Sequence, residues 1–403
     1  MHIRSALSRT AQFLFPPDTY KKLRDFYHAL TGHRSPLSEI EVADWQVYFQ
    51  DPRMDQRLAD MLKIFAGESE KAITSTYWSV LCRKNVSQLL DMKYDNFKQT
   101  VALNYFTWII GKEDPQAVFL LNYFPKDTLA LIKKRVDASK KHDLMTEEQA
   151  KFYNLITYLL WMFTEKTVGS DLLAKLEEPD EGNSPSVELN GKKISQDLAN
   201  SILEYHSIAQ GIPNIESLGT IIELGVGYGR TAFVFLKLLP KVRYILVDIP
   251  PALYIAEKYL SSQFADRQIF KYRQFEKFSE VAAEFEEAQI VFLMPDQLSL
   301  LPDHLADLFL AIDCLHEMRP EQIKSYFLTV DRLALNFYIK CWKKTIIPYD
   351  DITLTQDDYP FLPHWQNVFS RDCLVQNTYF EAMFHCGPGQ EVERPGKSSI
   401  KKS

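Results

Sequence analysis

The chain is short of the residues that announce a metal centre or a disulfide scaffold. Five cysteines (Cys82, Cys314, Cys341, Cys373, Cys386) are spread over 403 residues without a C-x-x-C pair or a Cys/His spacing. That pattern signals neither a zinc site nor a disulfide framework, and an odd number of dispersed thiols suits a reducing compartment. Positive charge is in deficit: Lys+Arg number 46 against 53 Asp+Glu, for a net charge of -7 and a pI of about 5.8. A nucleic-acid backbone is thereby excluded as the main partner. Long apolar runs are also missing. The longest, "YNLITYLLWMF" at 153–163, is too short to span a bilayer. The opening "MHIRSALSRTAQFLF" has too short and interrupted an apolar stretch for a signal peptide. A cytoplasmic protein with no membrane span is expected. Glycine is scarce as well, 14 in all, yet three of them crowd into five positions, Gly225, Gly227 and Gly229.

What is present is a globular composition, 46% hydrophobic and 25% charged, in a chain long enough for one large domain or two ordinary ones. Residues 1–180 read as a helical N-terminal domain, with apolar residues at three- and four-residue steps in "RLADMLKIF", "FKQTVALNYFTWII" and "QAKFYNLITYLLWMF". "MTEEQ" (145–149) predicts a capping box between Thr146 and Gln149, with Met145 as a hydrophobic staple. The polar stretch 177–192, "EEPDEGNSPSVELNGK", reads as a linker or exposed loop. From 193 to 386 short apolar runs alternate with helical stretches: "GTIIELG", "RTAFVFLKLLP", "VRYILVDI", "PALYIAEKYLSSQF", "QIVFLM", "ADLFLAIDC", "PEQIKSYFLTVDRLA", "LNFYIKCW". Such alternation predicts an α/β fold with a doubly wound, mostly parallel sheet. Its ligands belong at the carboxyl ends of the strands. Residues 387–403 read as a disordered tail.

The stretch "IIELGVGYGR" (221–230) puts its glycines between a buried strand and a helix. There, backbone amides and a helix N-terminus can face a ligand. A dinucleotide fingerprint, G-x-G-x-x-G, wants its third glycine where this chain has Arg230. The pattern is instead E-x-G-x-G-x-G, from Glu223 to Gly229, and the next strand closes on Asp248, placed for a ribose diol. "ELGVGYG" resembles the first motif of class I S-adenosylmethionine-dependent methyltransferases. The resemblance implies a Rossmann-like methyltransferase fold and S-adenosyl-L-methionine as cofactor. Glu223 then faces the methionine ammonium, Gly225, Gly227 and Gly229 allow close backbone approach, and Asp248 accepts the ribose hydroxyls. After the third strand, Asp296 and Gln297 are candidates for the adenine amino group, with ordinary turn chemistry as the equal alternative.

The fourth strand runs into "DCLHEMRPEQ", with Asp313, His316, Glu317 and Arg319. Pro320 suits the first turn of a helix. His316 lies just past a strand end, and an unperturbed imidazole near ~6.5 suits a base at neutral pH. The segment is similar to the "LHDW-SDE" stretch of small-molecule O-methyltransferases, in which the histidine is the base, but Glu317 and Met318 replace Asp and Trp. A histidine that packs the turn or caps the next helix is the competing account. Asp313 is either a cofactor contact or a strand-end residue bonding nearby backbone.

"VRYILVDIPPALYIAEKYLSSQF" and "FLMPDQLSLLPDHLADLFLAIDCLHEM" are similar to the sugar O-methyltransferases of bacterial surface-polysaccharide functions. The N-terminal "YWSVLCRKN" and "NFKQTVALNYFTW" resemble that family's helical half. The resemblance implies O-methylation of a sugar hydroxyl on a small-molecule or glycan acceptor, and no metal is expected. Candidate pocket walls are Asn96, Thr100, Asn104, Tyr105 and Trp108, then Lys340, Trp342, Lys343, Tyr359, His364 and Trp365; taken singly, a core or surface role is commoner for each. The rival functions are O-methylation of an aromatic or polyketide-like molecule and a non-catalytic methyltransferase-like binding protein. A nicotinamide oxidoreductase is disfavoured by Arg230.

Overall fold

A computed structural model describes residues 45–69, 76–100, 112, 114–136, 146–347 and 350–387. Up to residue 173 the described residues form helices: α1 (Trp45–Phe49), α2 (Gln56–Ser69), α3 (Thr76–Met92), α4 (Phe97–Thr100), α5 (Pro115–Tyr123), α6 (Lys126–Val136), α7 (Glu147–Val168) and α8 (Ser170–Leu173). The capping box at α7 forms as its sequence predicts: Gln149 N–H donates to Thr146 Oγ1, and Thr146 N–H donates to Gln149 Oε1. Helix α7 has no clean polar stripe, so it is buried on most sides rather than on one. Met145, Asn104, Tyr105, Trp108 and the tail from 388 onward lie outside the described residues.

The stretch 177–192 is not a linker. Strands β1 (Val187–Leu189) and β2 (Lys192–Ile194) close an antiparallel hairpin. Its turn is Asn190-Gly191, both at positive φ, the pairing a two-residue hairpin loop demands. Just before it, Glu178 is buried and takes hydrogen bonds from Lys98 Nζ at 2.6 Å and Ser195 Oγ at 2.6 Å. Polar composition misled here because the polar groups satisfy one another inside.

Helix α9 (Gln196–Gly211) leads into the α/β half: β3 (Thr220–Leu224), α10 (Arg230–Leu238), β4 (Arg243–Val247), α11 (Ala252–Gln263), β5 (Ile269–Phe270), α12 (Ala282–Glu287), β6 (Ile290–Leu293), β7 (Ala306–Ile312), α13 (Pro320–Leu333) and β8 (Ala334–Trp342). A hairpin of β9 (Lys344–Ile347) and β10 (Ile352–Thr355) follows, then β11 (Gln366–Asp372) and β12 (Tyr379–His385). The eight-stranded sheet has the order β11-β12-β8-β7-β3-β4-β6-β5. Strands β3 to β8 pair in parallel, and β12 enters antiparallel between β8 and β11.

Alternate residues of each parallel strand enter opposite cores. Ile221, Tyr244, Leu246 and Leu310 pack with α7, α9, α10 and α11. Ile222, Ile245, Val247 and Phe309 pack with α12 and α13. A sheet covered on both faces needs apolar residues at every position, which explains the continuous apolar runs. The first core also takes in Leu58, Cys82 and Leu159, so the N-terminal helices and the sheet share one interior. Arg57 of α2 clasps Glu257 of α11 through two hydrogen bonds of 3.0 and 2.7 Å. No helix among the described residues is long and apolar enough to cross a membrane.

Candidate cofactor and active site

From β3 the chain winds outward to β4 and β6, then returns to the other side of β3 for β7 and β8. The sheet therefore reverses direction between β3 and β7, and the crevice beyond their carboxyl ends is the expected ligand position. Register brings the exits level: Leu224 pairs with Val247 on β4 and with Ala311 on β7. Gly225, Asp248 and Asp313 thus emerge together, and the stretches after β3, β4 and β7 converge there.

The glycine turn is built against these neighbours. Gly225 has φ 76, and a Cβ on it would lie 2.4 Å from Cys314 Cβ, so no side chain fits between β3 and the exit of β7. Cys314 Sγ–H in turn donates to Leu224 O at 3.2 Å. Gly227, at φ 58, turns its amide to Asp248 Oδ2 at 2.8 Å. Asp248 Oδ1 accepts from Ile249 N–H at 2.7 Å. Burial outweighs these two donors and pushes the Asp248 carboxyl up to about 7.

Across the crevice the exit of β7 carries Asp313, His316 and Glu317. Asp313 sits at φ 60, an unusual backbone for a residue with a side chain, and its N–H donates to Lys340 O at 2.8 Å. Its carboxyl lies beside the Tyr379 hydroxyl, and burial raises it to about 6 against the pull of Lys340 and Arg230. The His316 side chain is 6% exposed, with Nε2 3.6 Å from Asp313 Oδ1 and 3.9 Å from Glu317 Oε1. Its Nδ1 is buried without a partner. Burial pulls the imidazole down to about 3, so His316 is neutral at pH 7. The unperturbed value assumed from sequence does not hold. Glu317 is pushed well above the ordinary carboxyl range by burial and by Asp313, and its Oε2 is buried without a partner. Trp342 and Tyr379 stand beside the imidazole, with ring centroids at 5.9 and 6.4 Å.

Helix α3 roofs the crevice. Tyr77 OH donates to Glu317 Oε1 at 3.3 Å, after β7, and Cys82 Sγ–H donates to Pro250 O at 2.7 Å, after β4. One helix of the N-terminal half thereby spans both sides of the reversal point. The stretch "YWSVLCRKN" stands out only by resemblance; no local pattern gives Tyr77 or Cys82 a role, since their partners lie 240 and 168 residues away.

The remaining residues singled out from sequence go elsewhere. Glu223 points into the core, where the Tyr244 hydroxyl donates to it at 2.7 Å and burial raises it to about 8. Gln297 is buried and engaged on both sides: Oε1 accepts from Met294 N–H at 3.0 Å and Nε2 donates to Arg273 O at 2.8 Å. It shapes the turn after β6, while Asp296 is exposed on that turn. Gly229 has φ 91 and packs on Leu260. Tyr359 and Trp365 are buried against Phe327 of α13 and belong to the second core, while His364 is exposed and pairs with Asp331. Lys340 is bound to Glu204, Lys343 to Asp372, and Asn96 to Asn183.

Arg230 does more than break a glycine pattern. Its guanidinium grips Glu204 of α9 at 2.6 and 3.0 Å, and Lys340 Nζ reaches the same carboxylate at 2.7 Å. Two cations on one buried acid hold it at about 2 despite desolvation.

No protein-family model and no curated protein matches the chain. Among solved structures, the mitomycin 7-O-methyltransferase MmcR is similar over 81% of this chain and 92% of its own, at 11% identity and a TM-score of 0.34. The 1,6-didemethyltoxoflavin-N1-methyltransferase of Burkholderia thailandensis covers 47% of this chain and 78% of its own, at 16% identity and 0.32. A SAM-dependent methyltransferase from Aquifex aeolicus covers 44% and 89%, at 13% identity and 0.28. These scores are low, and the fold assignment rests on this chain's own strand order and register.

Proposed function

We propose that the crevice binds S-adenosyl-L-methionine and that the protein is an O-methyltransferase, acting on a sugar hydroxyl of a small-molecule or glycan acceptor. The observation that carries the cofactor is the convergence of a bare glycine turn, a strand-end acid and a group of carboxyls with no lysine or arginine ion pair among the described residues, at the reversal point of the sheet. A cationic ligand fits that group: Glu317 Oε2 and His316 Nδ1 are buried polar atoms without partners. When bound, the cofactor supplies an electrophilic methyl group on a positively charged sulfur. Asp248 holds the ribose diol, trading its bond from Gly227 N–H for the ligand. Tyr77 and Cys82 tie α3 over the crevice and keep water out.

His316 is the proposed base. It is neutral at pH 7 and so can take a proton, and the carboxyls of Asp313 and Glu317 at 3.6 and 3.9 Å stabilise the imidazolium as it forms. Trp342, partly exposed beside it, offers an aromatic face for a sugar ring. Calorimetry with S-adenosylmethionine and with NAD tests the cofactor; binding of NAD alone sinks it. A labelled-methyl screen across sugars, nucleotide sugars and polysaccharide fragments tests the acceptor, and transfer only to aromatic phenols would replace the sugar.

A further inference from the structure

The proposed donor and the product it leaves differ by one methyl group and one charge: the sulfonium is positive and the thioether is not. The crevice is arranged to notice that difference. Asp248, Asp313 and Glu317 come from two strand exits, and all three act on the one thiol of Cys314, which burial and these acids push far up. Among the described residues neither lysine nor arginine forms an ion pair with any of the three. Their contacts are the amides of Gly227 and Ile249, the imidazole of His316, and the hydroxyls of Tyr77 and Tyr379.

The nearby cations among the described residues have contacts of their own. Arg230 of α10 and Lys340 of β8 share Glu204. Arg319, at the start of α13, pairs with Asp350 at 2.7 Å. Arg83 of α3 lies over the Trp45 ring at 5.0 Å. The neighbouring acid Glu204 is neutralised by its two partners, and Asp296 is exposed on the turn after β6. Independently of the acids, the His316 imidazole stands among them almost fully buried with Nδ1 unpartnered.

We propose that Asp313 and Glu317, backed by Asp248, are the specificity element by which this site favours the positively charged methyl donor over its uncharged thioether product. The proposal rests on the cofactor assignment above. Buried carboxyls without a cation hold their protons, because desolvation penalises the charged form. A positive sulfur beside them reverses the balance, so donor binding displaces protons. The thioether offers no such compensation and leaves the acids protonated. Methyl transfer to a hydroxyl removes the positive charge and frees one proton from the acceptor. The carboxyls take up that proton by way of His316, so charge balances on both sides and the hold on the product weakens as it forms.

The test is titration calorimetry of the full chain with S-adenosylmethionine and S-adenosylhomocysteine between pH 5.5 and 8.5, in two buffers of different ionisation enthalpy. One displaced proton changes affinity by at most about tenfold per pH unit. Donor affinity is expected to rise by about fivefold or more from pH 6 to pH 8, with proton release, while product affinity changes by less than about twofold. Glu317→Gln and Asp313→Asn are each expected to flatten the donor slope and move the donor-to-product ratio about tenfold toward product, with thermal melts confirming the fold. Parallel pH dependence for the two ligands, or an unchanged ratio in both variants, overturns the charge reading. Failure of the wild-type chain to bind either ligand overturns the cofactor assignment itself.

Discussion

Two groups of buried charge sit a few residues apart in this protein, and they are built on opposite principles. Behind the glycine turn, Glu204 carries two cations, with Arg230 and Lys340 all but closed around it. In front of the turn, Asp248 is buried and Asp313 and Glu317 are 24% and 18% exposed, and among the described residues none of the three forms an ion pair with a lysine or arginine. Burial pushes both carboxyls up, yet Glu204 is held at about 2 while Asp248 rises to about 7; the difference is the presence of Arg230 and Lys340 beside Glu204. A satisfied network is scaffold: it ties α9, α10 and β8 together. An uncompensated one carries a desolvation cost that a cationic ligand would offset, which is why it, and not the other, is the proposed site.

The contrast can be broken from either side. The largest effect is expected behind the turn. Glu204→Ala leaves two cations without their carboxylate counter-ion and should cost about 3–5 kcal/mol of stability. Urea denaturation that shows a loss below about 1 kcal/mol would mean that water reaches the network. Next comes the turn itself: Gly225→Ala forces a Cβ to within 2.4 Å of Cys314 Cβ at positive φ and should cost roughly 3 kcal/mol. The double change with Cys314→Gly should recover part of that loss, and no recovery would place the strain elsewhere.

The front group should respond to pH in both directions. His316 is held below its unfolded value, so its contribution is complete above pH 6.5 and is lost as pH falls toward 3. Between pH 7 and pH 5 that one group should cost the wild-type protein about 2 kcal/mol, and His316→Asn should show a correspondingly shallower acid slope in stability curves. An identical slope would show that the imidazole is hydrated. Glu317 works the other way. Its folded value is raised, so the folded protein binds more protons than the unfolded one, and stability falls as pH rises past the ordinary carboxyl range. Glu317→Gln should therefore stabilise the empty protein at pH 8 by about 1 kcal/mol, or 2–4 °C in melting temperature, and do nothing at pH 4. Stabilisation of equal size at both pH values would point to packing and not to charge.

Much of the scaffold was legible before any coordinates. The parallel strands announced themselves because a sheet covered on both faces must be apolar at consecutive positions, as in "TIIEL" and "RYILV". Thr146 and Gln149 predicted their own capping box because both partners lie within one turn. Gly225, Asp248, Asp313 and His316 were picked out because strand ends can be read from where apolar runs stop. The antiparallel edge was not visible: β11 is mostly exposed along its length and so has no apolar rhythm to detect. The hairpin within 177–192 was hidden by its polarity.

Sequence by itself determined the alternation of strands and helices, the glycine turn and the acids that close the strands, because each depends on residues close along the chain. Only the tertiary structure decided which of those acids are paired. Glu204 meets Lys340 across 136 residues and Tyr77 meets Glu317 across 240, and no local pattern encodes a partner at that distance. Whether a buried carboxyl becomes scaffold or site depends on that partner, since desolvation is common to both and compensation is not.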